Sequence, residues 1–184
     1  MGASDDFDVV VICSGNRFRS PIAEAVLRRE ADGLPVRVRS FGTMDLPSGH
    51  ALSEALELAP GYGLDLMSHR SRPLAGTDLS NADLVIGFEQ IHVATAVVGA
   101  KAQRERTFLI TELVAGLDEA TPPQADGIVE RARALVRKAD EARKAASGIP
   151  QEIADPIGGP AAGYRKIGDE AYRLTIRVAE RLFG

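Results

Sequence analysis

Along this chain, short apolar runs rich in β-branched residues alternate with stretches whose apolar positions recur every three or four residues. Phe7 to Ile12 (FDVVVI) has the composition of a central strand buried on both faces. Val36 to Ser40 alternates apolar and basic positions and reads as a second strand. Ala82 to Gly87 (ADLVIG) reads as a third, buried strand and Thr107 to Ile110 as a fourth. Between them lie helical patterns. Ser20-Pro21 with an acid, Glu24, in the first turn signals a helix start, and the helix continues through Ala25, Val26 and Leu27 to a stop near Gly33. Ala51 to Ala59 is helical and closed by Pro60-Gly61. Further helical patterns cover Ile91 to Val98 and the surroundings of Glu112 to Leu117.

The C-terminal part is helical only. Asp126 to Ala146 is amphipathic, with Ile128, Val129, Ala132, Leu135, Val136 and Ala139 on one face. A loop containing Asp155-Pro156 precedes a last helix that carries Ile167, Ala171, Leu174, Val178 and Leu182 at helical spacing. Strands alternating with helices predict an α/β fold: one domain over 1–184, with a doubly wound, four-stranded parallel sheet and helices on both faces. Residues 1–6 are expected to be disordered. Residues 118–150 form an enlarged connection around the long helix, which is either a lid or a packing element. In such folds ligands bind at the carboxyl ends of the strands, and Cys13 stands there, directly after the first.

The chain of 184 residues is long enough to bury a core without staples, and 45% hydrophobic with 26% charged is ordinary for a soluble protein. A net charge of -4 gives no support for a nucleic-acid or anionic-membrane partner. Arginine fills 18 of the 22 basic positions but is scattered. The single cysteine excludes an intramolecular disulfide and suits a reducing compartment. The acidic, polar start lacks a signal-peptide pattern and no apolar stretch is long enough to span a bilayer, so a cytoplasmic location is expected. His50, His69 and His92 are dispersed and lack ligand spacing, so neither a metal nor another cofactor is expected.

The candidate chemistry sits in Cys13-Ser14-Gly15-Asn16-Arg17-Phe18-Arg19, between the first strand and the first helix. A helix N-terminus behind a short loop is an anion site, because backbone N–H groups and the helix dipole both favour negative charge. The same field favours a thiolate, and an arginine at the loop's end can hold two phosphoryl oxygens with its planar fork. The Cys–Arg spacing alone is weak, since a lone cysteine after a buried strand is commonly a small core residue. Gly15 and Asn16, which tolerate tight backbone, and Ser20 at the helix start strengthen it.

Val11 to Glu24 (VICSGNRFRSPIAE) closely resembles the signature of the low-molecular-weight protein tyrosine phosphatases, V-C-x-G-N-x-x-R-S-P-x-A-E. Ser40-Phe41-Gly42-Thr43 is similar to the family's S-A-G-T segment, Met67 to Arg72 to its S-H-x-A/S-R motif, Asp83 to His92 to the strand and helix start that follow, and Asp155-Pro156 to its D-P acid loop. The resemblance implies a flavodoxin-like, phosphotyrosine phosphatase I-like fold and a metal-independent phosphomonoester hydrolase acting through a cysteinyl-phosphate. It makes Cys13 the nucleophile, Arg19 the phosphate clamp and Asp155 the acid and then the base. Ser14, Gly15, Asn16, Arg17, Phe18, Ser20, Ser40 and His69 bind phosphate or support the loop, with Ser20 donating to the Cys13 sulfur. The implied partner is a phosphorylated protein or a small phosphomonoester, handled by a monomer.

Three positions depart from the family pattern. Phe18 stands where many members have a second, protective cysteine. Arg17 stands where a small or β-branched residue is usual, and a second arginine at the mouth favours a substrate with a further anionic group, unless it points to solvent or pairs locally. Ile157 follows Asp155-Pro156 where tyrosine phosphatases commonly have an aromatic wall. The alternatives to a protein-tyrosine phosphatase are a phosphatase of a small anionic metabolite or of another phospho-residue, an arsenate reductase using an external thiol, and a silent phosphate-binding module. His92 reads equally as a surface residue at a helix start.

Overall fold

Strand β1 (Phe7–Cys13) is buried along its whole length because it runs through the middle of a four-stranded parallel sheet. It pairs with β2 (Val36–Gly42) on one side and β3 (Leu84–Gly87) on the other, and β4 (Thr107–Leu109) lies beyond β3. The computed structural model describes residues 6–184. The disorder expected over 1–6 therefore lies, apart from Asp6, outside the described residues.

The period of two along β1 divides the core. Phe7, Val9, Val11 and Cys13 face helices α1 (Arg19–Glu30), α4 (Ile110–Glu119), α5 (Ile128–Ala145) and α6 (Ala161–Phe183). Val10 and Ile12 face the opposite layer, where Val85, Phe41, Leu79 and Ala96 of α3 (Gln90–Gly99) gather. The two faces are thus covered unequally: α3 shares its side with the irregular stretch around Leu74 to Ala82. A third cluster joins Phe18 and Ile22 to Ala55 of α2 (Ser53–Leu58) and Tyr164 of α6. Each fully buried Val, Leu or Ile in these layers contributes about 1.5–3 kcal/mol relative to exposure.

Helix α5 is a packing element and not a lid. Ala132, Leu135, Val136 and Ala139 are buried against the sheet and α4, and a Cβ on Gly116 of α4 would lie 3.0 Å from the Ala139 backbone. Arg133 of α5 bonds the carboxylate of Asp83, just before β3, at 2.8 and 3.2 Å. Among the described residues no helix is long and apolar enough to cross a membrane.

The start of α1 differs from the expected pattern. Its N-cap position is Phe18, which offers no side-chain cap, and the first turn holds no acid. Ser20 is committed elsewhere, and Glu24 sits a turn further along, buried. Both are parts of the site.

Candidate active site

The parallel sheet brings the carboxyl ends of β1, β2 and β3 together, and the loop from Cys13 to Arg19 closes over them. Asn16 turns that loop. Its φ of 53° is left-handed, a conformation asparagine tolerates better than most residues. The side chain is fully buried and uses its amide on three partners: Nδ2 donates to Ser20 Oγ at 2.9 Å and to Ser40 Oγ at 2.7 Å, and Oδ1 accepts the Arg72 amide at 2.9 Å. Ser40 Oγ donates in turn to Glu24 Oε2 in a very short contact. Arg28 and Arg72 flank the same carboxylate, at 2.6 and 3.4 Å. His69 Nε2 donates to the Asn16 carbonyl at 2.8 Å, and burial holds this ring below its ordinary pKa.

This network aims one hydrogen bond at the sulfur. Ser20 Oγ accepts from Asn16 and is free to give its own proton to Cys13 Sγ, 3.0 Å away. Gly42 lets the parts approach: a Cβ there would lie 2.9 Å from Gly15 C and Ser14 O and 3.0 Å from Asn16 N. The backbone of Thr43 and Met44 donates to the carbonyls of Cys13 and Ser14, at 3.0 and 2.9 Å.

Arg19 lies at the bottom of the site, 1% exposed, with four polar partners. Nη1 donates to Glu89 Oε2 and to the Ile153 carbonyl, both at 2.6 Å. Nη2 donates to Ser14 Oγ at 3.0 Å and to Asp155 Oδ2 at 2.7 Å. Phe88 supports the guanidinium at 5.7 Å. Asp155 arrives from 136 positions away because its loop is tied down: Ile153 N donates to the Phe88 carbonyl at 2.8 Å, and Thr111 Oγ1 to the Gln151 carbonyl at 2.6 Å. Asp155 Oδ1 accepts the Ile157 amide at 3.1 Å, which fixes the carboxylate's rotation.

Cys13, Arg19, Asp155, Ser14, Asn16, Ser20, Ser40 and His69 therefore meet in one place, and Gly15 lies in the same loop. The side chains of Arg17 and Phe18 leave it. Arg17 is half-buried and turns onto the 47–49 stretch, where Nη2 donates to the Pro47 carbonyl at 2.7 Å and the guanidinium packs on Gly49; it neither points freely to solvent nor pairs with an acid. Phe18 packs edge-on against Tyr164, 5.3 Å between ring centres.

Two residues of the site were not expected from the sequence. Glu89 binds Arg19, and His92 is fully buried, not a surface residue. A reciprocal capping box between them, at the start of α3, was the signal available. His92 accepts the Phe88 and Glu89 amides at Nδ1, at 3.3 and 3.1 Å, and faces Ser14 Oγ with Nε2 at 3.2 Å. Burial and the neighbouring Arg19 push its pKa down to about 3. Among the described residues no cluster of three His, Cys, Asp or Glu side chains is arranged to hold a metal ion.

Residues 8–127 match the sequence profile of the family described as low molecular weight phosphotyrosine protein phosphatase. Over 177 residues, 95% of this chain and 96% of the relative, the sequence is 34% identical to the protein-arginine-phosphatase of Bacillus subtilis (strain 168). It is 35% identical over 101 residues, 55% of this chain and 67% of the relative, to the low molecular weight protein-tyrosine-phosphatase Etp of Escherichia coli (strain K12). Among solved structures, a YwlE mutant from Bacillus subtilis superposes with a TM-score of 0.69 at 26% identity, covering 97% of this chain and 100% of that one. A cysteine-to-serine mutant of YwlE arginine phosphatase, with its active-site serine phosphorylated, gives 0.68 at 26% identity over 95% of each chain.

Proposed function

The chain belongs to the low molecular weight phosphotyrosine protein phosphatase family of cysteine-dependent phosphatases, and from that premise we propose that it dephosphorylates proteins with Cys13, Arg19 and Asp155 as its reacting set. The observation that carries this reading is the convergence of the three. One fully buried serine points at the sulfur, and one guanidinium touches both the loop and the carboxylate.

In the first step the Cys13 thiolate attacks phosphorus in line, and the bond from phosphorus to the leaving atom breaks. Arg19 and the loop N–H groups hold the equatorial oxygens. To do so Arg19 exchanges Asp155 for the phosphoryl group. Asp155, released from the guanidinium, acts at this stage as the general acid that gives the leaving atom its proton. In the second step water attacks the cysteinyl-phosphate, Asp155 accepts its proton, and the Ser20 hydroxyl eases departure of the thiolate. No step calls for a metal.

The family name favours phosphotyrosine. Phosphoarginine is a second reading, favoured by Ile157 in place of an aromatic wall and by the relative matched along nearly the whole chain being an arginine phosphatase. The relatives' names do not favour the small-metabolite, arsenate or silent-module alternatives. We take the working unit to be a monomer in a reducing, cytoplasmic compartment, where a solitary nucleophilic thiol stays active. Release of phosphate from matched phosphotyrosyl and phosphoarginyl peptides, at neutral pH with chelator, tests both levels. Turnover of either that vanishes in Cys13→Ser supports the chemistry, and the preferred peptide names the substrate. Turnover of neither by folded, reduced protein overturns the reading.

A further inference from the structure

The ring of His92 is held between two partners of opposite kind. Nδ1 accepts two backbone amides, so the neutral ring carries its proton on Nε2. That proton faces Ser14 Oγ at 3.2 Å, with Glu89 Oε2 further off at 3.5 Å. Gly87, at the end of β3, lets the ring in: a Cβ there would lie 2.9 Å from His92 Cβ. Ser14 Oγ also receives Arg19 Nη2, at 3.0 Å. A hydroxyl oxygen has two acceptor sites and one proton. With both acceptor sites filled by donors, the Ser14 hydroxyl can only give its proton away.

We infer that His92 is a positioning residue for phosphoryl transfer: through its Nε2–H it fixes Ser14, beside Cys13 and Arg19, as a hydrogen-bond donor to the transferring phosphoryl group. This rests on the phosphatase reading of the site and adds to it a donor set by a residue on another element. Without His92, Ser14 Oγ has a vacant acceptor site and its proton is free to turn elsewhere. Since burial keeps the ring neutral, the arrangement holds under mildly acidic conditions.

The two functions of the ring separate by substitution. Asparagine can reproduce the Nδ1 acceptor for the backbone amides but is too short to reach Ser14. Glutamine can reproduce the Nε2 donor but not the cap. His92→Asn should therefore melt close to wild type and lose about tenfold to a hundredfold in kcat, the worth of one hydrogen bond to a charged group. Affinity for vanadate, which mimics the five-coordinate phosphorus, should fall in parallel, with a smaller change in KM. His92→Gln should melt lower and recover most of the lost kcat. Ser14→Ala should match His92→Asn, and the double variant should be no worse than Ser14→Ala alone.

A His92→Asn enzyme with kcat within about twofold of wild type, or losses that multiply in the double variant, overturns the inference. If His92→Asn does not fold, long-range proton–nitrogen NMR of the wild type with vanadate bound decides instead. A proton on Nε2 supports the arrangement, and one on Nδ1 overturns it. Wild-type turnover is the control that separates the two readings. Its absence counts against the phosphatase, whereas its presence beside an unimpaired His92→Asn counts only against His92.

Discussion

Replacing Gly42 by alanine puts a methyl group where the backbone of the Cys13–Arg19 loop already lies. The new Cβ would stand 2.9 Å from Gly15 C, 2.9 Å from Ser14 O and 3.0 Å from Asn16 N. Comfortable carbon contacts begin at about 3.5 Å, so the loop or β2 must move by about half an ångström. β2 cannot readily yield. Gly42 N donates to the Arg72 carbonyl at 2.9 Å, its own carbonyl accepts the Leu74 amide at 2.7 Å, and it pairs with Cys13 in the sheet. The loop therefore moves, taking with it the amides that face phosphate. Overpacking of this kind costs about 1–3 kcal/mol, a fall in Tm of about 2–4 °C per kcal/mol for a chain of this size. Catalysis suffers more, because a displacement of about 1 Å at a reacting centre is worth about a hundredfold in rate. Gly42→Ala should thus stay folded, melt several degrees lower, and lose about tenfold to a hundredfold in kcat on an aryl phosphate, with weaker vanadate binding. A variant that melts lower yet keeps wild-type kcat would show that the loop's shape does not depend on this contact.

Three more outcomes are expected. His92 titrates near 3 in the fold against about 6.5 when unfolded, so between those limits the unfolded chain binds a proton the folded one refuses. Stability is then full above about pH 6.5 and falls as pH drops, by up to about 1.4 kcal/mol per unit, with His69 adding in the same sense. Denaturant titrations at pH 7 and 5 should show a shallower fall for His92→Asn than for wild type; an equal fall refutes the assignment. Asp155→Asn should lower kcat by about 10²–10⁴-fold for an alkyl phosphate, whose leaving oxygen needs a proton, and much less for an ester of an acidic phenol; equal losses would remove Asp155 as the acid. Arg17→Ala should change turnover of neutral and anionic phosphate esters alike, because its guanidinium is hydrogen-bonded to the Pro47 carbonyl and packs on Gly49. A loss confined to anionic esters would show that Arg17 reaches substrate.

All four strands were legible because a strand buried on both faces leaves a dense apolar run, and β1, β3 and β4 are such runs. Their ends were approximate, as with β2, which extends to Gly42 because Phe41 packs into the second face of the sheet. Cys13, Asn16, Arg19 and Ser20 were legible because they lie in one contiguous signature. Glu89 and His92 were not, since their role depends on β3 ending beside β1, a tertiary fact with no local pattern beyond a capping box. Glu24 was read as a helix-start acid, but its carboxylate is used across the structure by Ser40 and Arg72. Arg17 was read from its charge as facing an anionic substrate, solvent or a local acid, whereas the 47–49 stretch that captures it has no regular structure to predict.

The side chains that hold the phosphate loop by hydrogen bonds come from Asn16, Ser20, Glu24, Ser40, His69 and His92, whereas two exposed positions beside it meet the site through their backbone. Met44 and Ile157, about half exposed, hydrogen-bond to the loop and the acid through their backbone amides. Any residue other than proline supplies such an amide. Side chains at 44 and 157 can therefore be exchanged without disturbing the machinery beneath them. Laboratory evolution toward a new phosphorylated substrate should succeed first at these positions, and the variants it yields should differ in preference while sharing one rate of cysteinyl-phosphate hydrolysis.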